Sequence, residues 1–592
     1  MRTFHVEIIK PSHYDRQGYV IQWWKAWIPS NSMASLFAIA KDSAARKVLG
    51  DDVDIEVSAH DEMTMRVPVD EMARRMKQPG HSGIVALVGV QSNQYPRALE
   101  IAKQFRSQGI KVAIGGFHVS GVISMLKKPT LDLQVAIDLG ITLFAGEAEE
   151  HFDSFLKDVD ADKAQEVYNY MDDLPDLQGQ TIPLLPKNII KRYDGILASF
   201  DAGRGCPFQC SFCTIINVQG RKSRWRGADD IERIIRENTA QGIDKYFITD
   251  DNFARNKNWE AIFDRMIELR EKEGLGITFL IQVDVLAHKI DNFIEKAARD
   301  GCHYAFIGLE SINPDNLMEM NKGQNRITEY RKMFQAWKEA GIITYAGFIM
   351  GLPGDTPETI KRDIGIVQRE LPVDLLEFTM LTPLPGSEDH KRHYDAGTWM
   401  DPDLNKYDLE NATIKHPKMS TEEWQQTYQD IWTWYYTDEH VERMMKRNKA
   451  YGIKPVKIWR GVLQIYGAMA FEGVHPQQCG YFRIKDRTQR RPERPRVSAL
   501  RFWPAYIAET IAKYATYGAY AWRFHRIRTR IQKDDSVKDY TDLAITEVID
   551  AEGEDLEMFD LNESSMAAVD KAKQQADARR DREEARVTQA AE

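Results

Sequence analysis

The sequence predicts an α/β protein: a doubly wound, flavodoxin-like (Rossmann-like) parallel sheet first, a longer series of strand and helix units behind it, and a mostly helical C-terminal region. Two patterns and one number predict this. Over the first 150 residues short apolar runs alternate with amphipathic helical stretches, and about six further strand and helix units follow between 197 and 385. At 592 residues, 43% hydrophobic and 28% charged, the chain has material for about three or four cored domains.

Residues 4–9 read as the first strand, and Pro29-Ser30-Asn31-Ser32 opens the first long helix. Residues 84–90 are a strand apolar on both faces, 95–107 an amphipathic helix, and 111–114 a strand ending in Gly115-Gly116. Residues 141–144 then run into Ala145-Gly146-Glu147. Ligands of such sheets sit beyond the carboxyl ends of the strands, which here carry Gln91-Ser92-Asn93-Gln94 and Gly115-Gly116-Phe117-His118. In the second block, 197–200, 245–249, 277–283, 305–309, 345–350 and 376–381 are strands, with a helix at 229–241. Polar residues collect at their ends: Asp250, Asp251, Gln282, Asp284 and Glu310. Acids in these positions either cap the following helices or accept hydrogen bonds from a ligand's ammonium and hydroxyl groups.

The run Gly205-Cys206-Pro207-Phe208-Gln209-Cys210-Ser211-Phe212-Cys213 packs three thiols into one loop as C-x3-C-x2-C. Three thiolates can hold three irons of a 4Fe-4S cubane and leave the fourth iron open. They could equally be most of a structural zinc site, which needs a fourth Cys or His. Only Cys302, expected as packing on a strand, and Cys479 remain. Five cysteines so placed do not make a disulfide framework and suit a reducing compartment. No apolar run approaches bilayer-crossing length and the first residues lack a signal peptide's apolar core, so a cytoplasmic protein is expected. The net charge of −10 argues against broad nucleic-acid binding.

The cysteine spacing, with Phe212 before the third cysteine, resembles the cluster loop of radical S-adenosylmethionine enzymes. The order of elements over residues 1–185 resembles the cobalamin-binding domain that precedes the partial (β/α)6 barrel in one large class of them, although the D-x-H-x-x-G cobalamin motif is missing. The resemblance implies four parts: a cobalamin-binding domain and linker at 1–185, the radical barrel at 186–390, a helical substrate region at 391–532 and a charged, disordered tail at 533–592. It implies that Cys206, Cys210 and Cys213 hold a 4Fe-4S cluster, and that Phe212, Asp250, Asp251, Gln282, Asp284 and Glu310 meet S-adenosylmethionine. Ser30, Asn31, Ser92, Gln94, Gly115, Gly116, His118, Gly146 and Glu147 would meet cobalamin, with His118 a candidate, and no more, for the cobalt ligand. The activity implied is C-methylation of an unactivated carbon, or the cyclisation and rearrangement chemistry of relatives such as the anaerobic cyclase of chlorophyll biosynthesis. Electrons would come from a flavodoxin or ferredoxin. A noncatalytic cobalamin or metal sensor is the reading from another class.

Residues 386–530 are rich in Trp, Tyr, His and Arg, and the aromatic stripe of 422–436 is either core or the lining of a substrate pocket. Residues 499–531 read as an apolar helix with an aromatic flank and a basic end, Arg523, Arg526, Arg528 and Arg530. It is either a buried helix or one lying on an anionic membrane, and the second reading goes with a large apolar substrate such as a lipid, hopanoid or tetrapyrrole.

Overall fold

The computed structural model describes residues 2–547 and 555–591. Strands β1 (Arg2–Lys10), β3 (Val53–Asp61), β4 (His81–Leu87), β5 (Lys111–Gly115), β6 (Thr142–Ala145) and β7 (Val167–Asn169) form a parallel sheet ordered β3-β1-β4-β5-β6-β7. β2 (Gln22–Ala26) leaves it to pair antiparallel with β16 (Gly480–Ile484), a ribbon no local pattern announces because its halves are distant in sequence. The central strands are covered on both faces, so Val6, Ile8, Val85 and Ile114 are all buried. The strand expected over 84–90 ends at Leu87, because Gly89 takes φ +62° and turns the chain. Ser30 caps the helix Asn31–Ala45, its hydroxyl accepting from Met33 N at 3.2 Å.

The second sheet runs in sequence order through β8 (Leu197–Phe200), β11 (Lys245–Ile248), β12 (Thr278–Val283), β13 (Cys302–Glu310), β14 (Ile343–Met350) and β15 (Leu375–Met380), all parallel. Two short strands, β9 (Gly203–Arg204) and β10 (Arg224–Trp225), pair antiparallel on either side of the cysteine loop. Alternation along β13 buries Ala305, Ile307 and Leu309 and leaves Tyr304 and Phe306 half-buried on the other face. Phe306 meets Tyr345 of β14 edge to face, with ring centroids 5.1 Å apart.

The helix Thr421–Tyr435 settles the aromatic stripe as core: Trp424, Trp432 and Tyr435 are buried, and Trp432 stands perpendicular to Phe378 of β15 at 5.0 Å. The helix Ala499–Lys533 follows. The charged tail expected to be disordered is not so in its described part. Leu556, Met558 and Phe559 are buried, Glu370 accepts from the backbone N–H groups of Glu557 (2.7 Å) and Met558 (3.1 Å), and a helix covers Glu563–Ala591. A short apolar anchor inside an acidic run holds what the composition alone left loose.

Candidate functional site: a cysteine loop facing a cleft

The cysteine loop is fixed by backbone contacts. Gly205 takes φ +88°, where a Cβ would stand 2.5 Å from Lys222 O, so only glycine fits. Cys206 N donates to Gly220 O (3.2 Å), Ser211 N to Met320 O (3.0 Å) and Cys213 N to Cys210 O (3.2 Å). Cys210 is buried, Cys206 and Cys213 are half-buried, and all three are free thiols. Burial pushes the Cys206 thiol up, and burial followed by nearby Asp251 pushes Cys213 up to about 12. Cys302 and Cys479 are buried elsewhere, their sulfurs 3.4 Å from Tyr304 O and 3.6 Å from Gly480 O, so neither supplies the fourth ligand of a zinc site. Three thiols on one constrained loop, with Cys302 and Cys479 held elsewhere, fit a cluster with one open iron.

The acids at the strand ends divide into clasps and candidates. Asp250 Oδ1 accepts from Ala202 N (2.7 Å) and Gly203 N (2.8 Å), and Oδ2 from Asn256 Nδ2 (3.0 Å). It therefore fastens the end of β8, and Asp251 is the member of the pair that acts on the thiols. Burial, then Asp250, pushes the Asp251 carboxyl up to about 7. Gln282 Nε2 donates to Asp250 O at 3.2 Å. Asp284 is held by Arg255 (2.6 and 2.8 Å) and Asn252 (2.9 Å), while the Arg255 guanidinium lies 5.5 Å from the Phe208 ring of the cysteine loop. Glu310 accepts from Lys322 Nζ at 2.6 Å, and that ammonium lies 5.6 Å from the Phe212 ring. Burial opposes the Lys322 charge, but Glu310 and then Cys210 outweigh it and hold the ammonium above its usual range. Lys322 follows a helix in an unremarkable Met-Asn-Lys-Gly string, and the sequence carries no signal for it.

At the carboxyl ends of β4, β5 and β6 lies a cleft of about 990 Å³ including its mouth. Asn31, Gly115, Gly116, Gly146 and Glu147 line it, as expected. So do Ser35 and, from the flanks of the cysteine loop, Arg204 and Gln219, none of which the sequence singled out. Asn31 Oδ1, Ser35 Oγ and Gln219 Oε1 are buried with no hydrogen-bond partner, a cost that a polar ligand in the cleft would remove. Its floor is apolar, with Leu36, Ala86, Ala113 and Phe144. A large ligand with a flat apolar part and polar rim groups fits such a wall, as cobalamin would.

Ser30, Ser92, Gln94 and His118 do not line the cleft. Ser30 caps its helix and Gln94 Oε1 accepts from Gln91 N at 3.1 Å. His118 is buried with Nδ1 3.1 Å from Ser92 Oγ and Nε2 2.7 Å from Asp132 Oδ2. Both ring nitrogens are therefore engaged, and neither is free for cobalt.

Deeper in the barrel wall, Tyr345 of β14 donates its hydroxyl to Glu377 of β15, whose other oxygen accepts from Gln477 Nε2 at 2.9 Å. Burial pushes the Glu377 carboxyl up to about 7 against the pull of these two hydrogen bonds. An acid inside the strand Leu-Leu-Glu-Phe-Thr-Met breaks its apolar run, and that break is its trace in the sequence.

Residues 202–365 match the family model described as the Radical SAM superfamily. Among curated proteins, the bacteriochlorophyllide d C-8(2)-methyltransferase of Chlorobaculum tepidum is 27% identical over 380 residues, 60% of this chain and 79% of that protein. The bacteriochlorophyllide d C-12(1)-methyltransferase of the same organism is 28% identical over 344 residues, 55% of this chain and 68% of that protein. Among solved structures, the radical S-adenosylmethionine methyltransferase TsrM from Kitasatospora setae, with cobalamin and a 4Fe-4S cluster bound, superposes with a TM-score of 0.55 at 14% identity. The match covers 74% of this chain and 90% of TsrM and is a likeness of fold. With the cysteine loop inside the matched segment, residues 202–365 of this chain form a Radical SAM domain.

Proposed function

We propose that this protein is a cobalamin-dependent radical S-adenosylmethionine C-methyltransferase acting on an unactivated carbon of a large apolar molecule. The observation that carries the reading is the shared cleft: Arg204 and Gln219, on either side of the three cysteines, line the same space as Asn31, Gly115, Gly116 and Glu147. The cluster supplies reductive cleavage of S-adenosylmethionine, and cobalamin supplies a transferable methyl group.

The chain provides position and exclusion of water. Cys206, Cys210 and Cys213 would hold the cluster, on a loop anchored at Gly220 and Met320. Asp251 would accept from the ammonium of S-adenosylmethionine, and Glu310, already paired with Lys322, would stand near its ribose. Asn31 Oδ1 and Gln219 Oε1 would accept from cobalamin's polar rim, and the Ser35 hydroxyl would donate to it or accept from it. A site enclosed by strand ends strengthens each of these contacts and keeps solvent from a reactive intermediate. The relatives that act on bacteriochlorophyllide d support a tetrapyrrole-like substrate, with a lipid or hopanoid the other large apolar class. A flavodoxin or ferredoxin would supply electrons in the cytoplasm.

The test is metal content and product analysis on protein made without oxygen and with cobalamin. About four irons and one cobalt per chain are expected, with S-adenosylhomocysteine and 5'-deoxyadenosine formed on reduction. Iron without cobalt rejects the methylcobalamin route, and zinc without iron leads to the noncatalytic reading.

A further inference from the structure

The helix Ala499–Lys533 is packed on one side only. Phe502, Phe524 and Ile531 are buried, while Leu500, Trp503, Ile507, Ile511 and Trp522 are between 51% and 89% exposed. At 100° per residue these five fall on one stripe of the helix, so the exposure is a continuous apolar face and not scattered single residues. The face extends sideways. Phe482, 54% exposed on β16, touches Tyr514 of the helix at 5.1 Å and Trp24 of β2 at 5.8 Å, and Trp24 is itself 57% exposed.

Positive charge is gathered on this helix and the segment leading into it. Residues 487–533 hold twelve Lys and Arg against two Asp and Glu, in a chain whose net charge is −10. The basic residues lie at both ends of the stripe: Arg494, Arg496 and Arg501 around its start, and Arg523, Arg526 and Arg530 beyond it. Arg523 and Arg530 are paired with Asp438 and Glu442. The side chains of Arg494, Arg496, Arg501 and Arg526 make no ion pair among the described residues, and Arg526 lies 5.0 Å from the exposed Trp522 ring. No helix among the described residues is long and apolar enough to cross a membrane.

We propose that this face, formed by the exposed stripe of Ala499–Lys533 with Phe482 and Trp24 and flanked by unpaired arginines, docks on the surface of an anionic lipid bilayer. Apolar side chains along one stripe bury into the headgroup boundary, and arginines at its ends meet lipid phosphates. An anionic bilayer offers phosphates and an apolar layer to one continuous face, whereas a second copy docked through the same face would set its arginines against these arginines. The inference does not depend on the reaction proposed above.

The test is flotation of the full chain with vesicles of phosphatidylcholine alone or of an equimolar mixture with phosphatidylglycerol. Binding is expected to the anionic vesicles only and to weaken with salt. The variant Trp503→Ser/Ile507→Ser/Ile511→Ser and the variant Arg494→Gln/Arg496→Gln/Arg501→Gln should each lower the bound fraction, by about tenfold for the first, with iron content and melting temperature unchanged. Failure to float with anionic vesicles overturns the proposal, as does binding by both variants as strong as that of the unaltered protein. A concentration-dependent dimer abolished by the serine variant, without vesicle binding, would assign the face to a second copy instead.

Discussion

Arg204 donates to Glu149 at 2.7 Å and to Glu147 at 2.6 Å, so the strand that leads into Cys206 is bound to the carboxyl edge of the N-terminal sheet. Its Nε also donates to Asp201 at 3.1 Å, and Arg224 on the paired strand reaches Glu147 at 2.9 Å. Burial alone would raise the Glu149 carboxyl, and Arg204 reverses this, holding it below its usual range. One guanidinium thus sets how the cysteine loop and the cleft face each other.

Arg204→Met leaves buried carboxylates without their cation. A loss of about 3–5 kcal/mol is expected, read as a lowered denaturation midpoint, with cobalamin uptake falling alongside it. Retained stability would show that Arg224 and Arg226 suffice to hold the carboxylates.

Alanine at Cys206, Cys210 and Cys213 together should reduce iron from about four per chain to near zero while the circular dichroism spectrum stays that of the native fold. The loop's backbone hydrogen bonds to Gly220 and Met320 do not involve the sulfurs. Collapse of the fold instead would point to structural zinc.

Filling the cleft should separate the two cofactors. Ala113→Phe places a ring on its floor, and cobalt per chain should fall severalfold with iron unchanged. Ser35→Ala removes a buried hydroxyl that lacks a partner. The protein without cobalamin should be as stable or about 1 kcal/mol more stable, and cobalamin should bind more weakly. Tighter binding would exclude Ser35 as a contact.

Glu377 gives a pH dependence. Its carboxyl is pushed up to about 7 in the fold, above its ordinary value of 4.5 when the chain is unfolded, so the folded state binds the extra proton between these values. The stability it contributes is fully present below pH 4.5 and is lost as pH rises through 7. Between pH 5 and 8 the wild type should lose on the order of 3 kcal/mol relative to Glu377→Gln, measured by parallel urea titrations. Parallel profiles for the two proteins would place the carboxyl elsewhere on the titration scale.

The sequence by itself determined what depends on neighbours along the chain. The cysteine spacing marked the loop, Ser30 marked the start of its helix, and the alternation of apolar runs and helical stretches located the six strands of the second sheet and four of the six of the first, missing β3 and β7. These are local: a cap, a turn at Gly205 and a strand's burial on both faces each leave a trace within a few residues. Only the tertiary structure decided which of the expected polar residues were free. Asp250 and His118 sit in motif positions, yet backbone amides, Ser92 and Asp132 consume their hydrogen-bonding capacity. Arg204, Lys322 and Glu377 gain their places from partners 12 to 100 residues away, and Ser35 and Gln219 from a cleft that distant segments enclose. The outward stripe on Ala499–Lys533 emerged the same way. Its aromatic residues spread over more than half of the helix circumference, and only packing against the rest of the chain chose which rings would be covered.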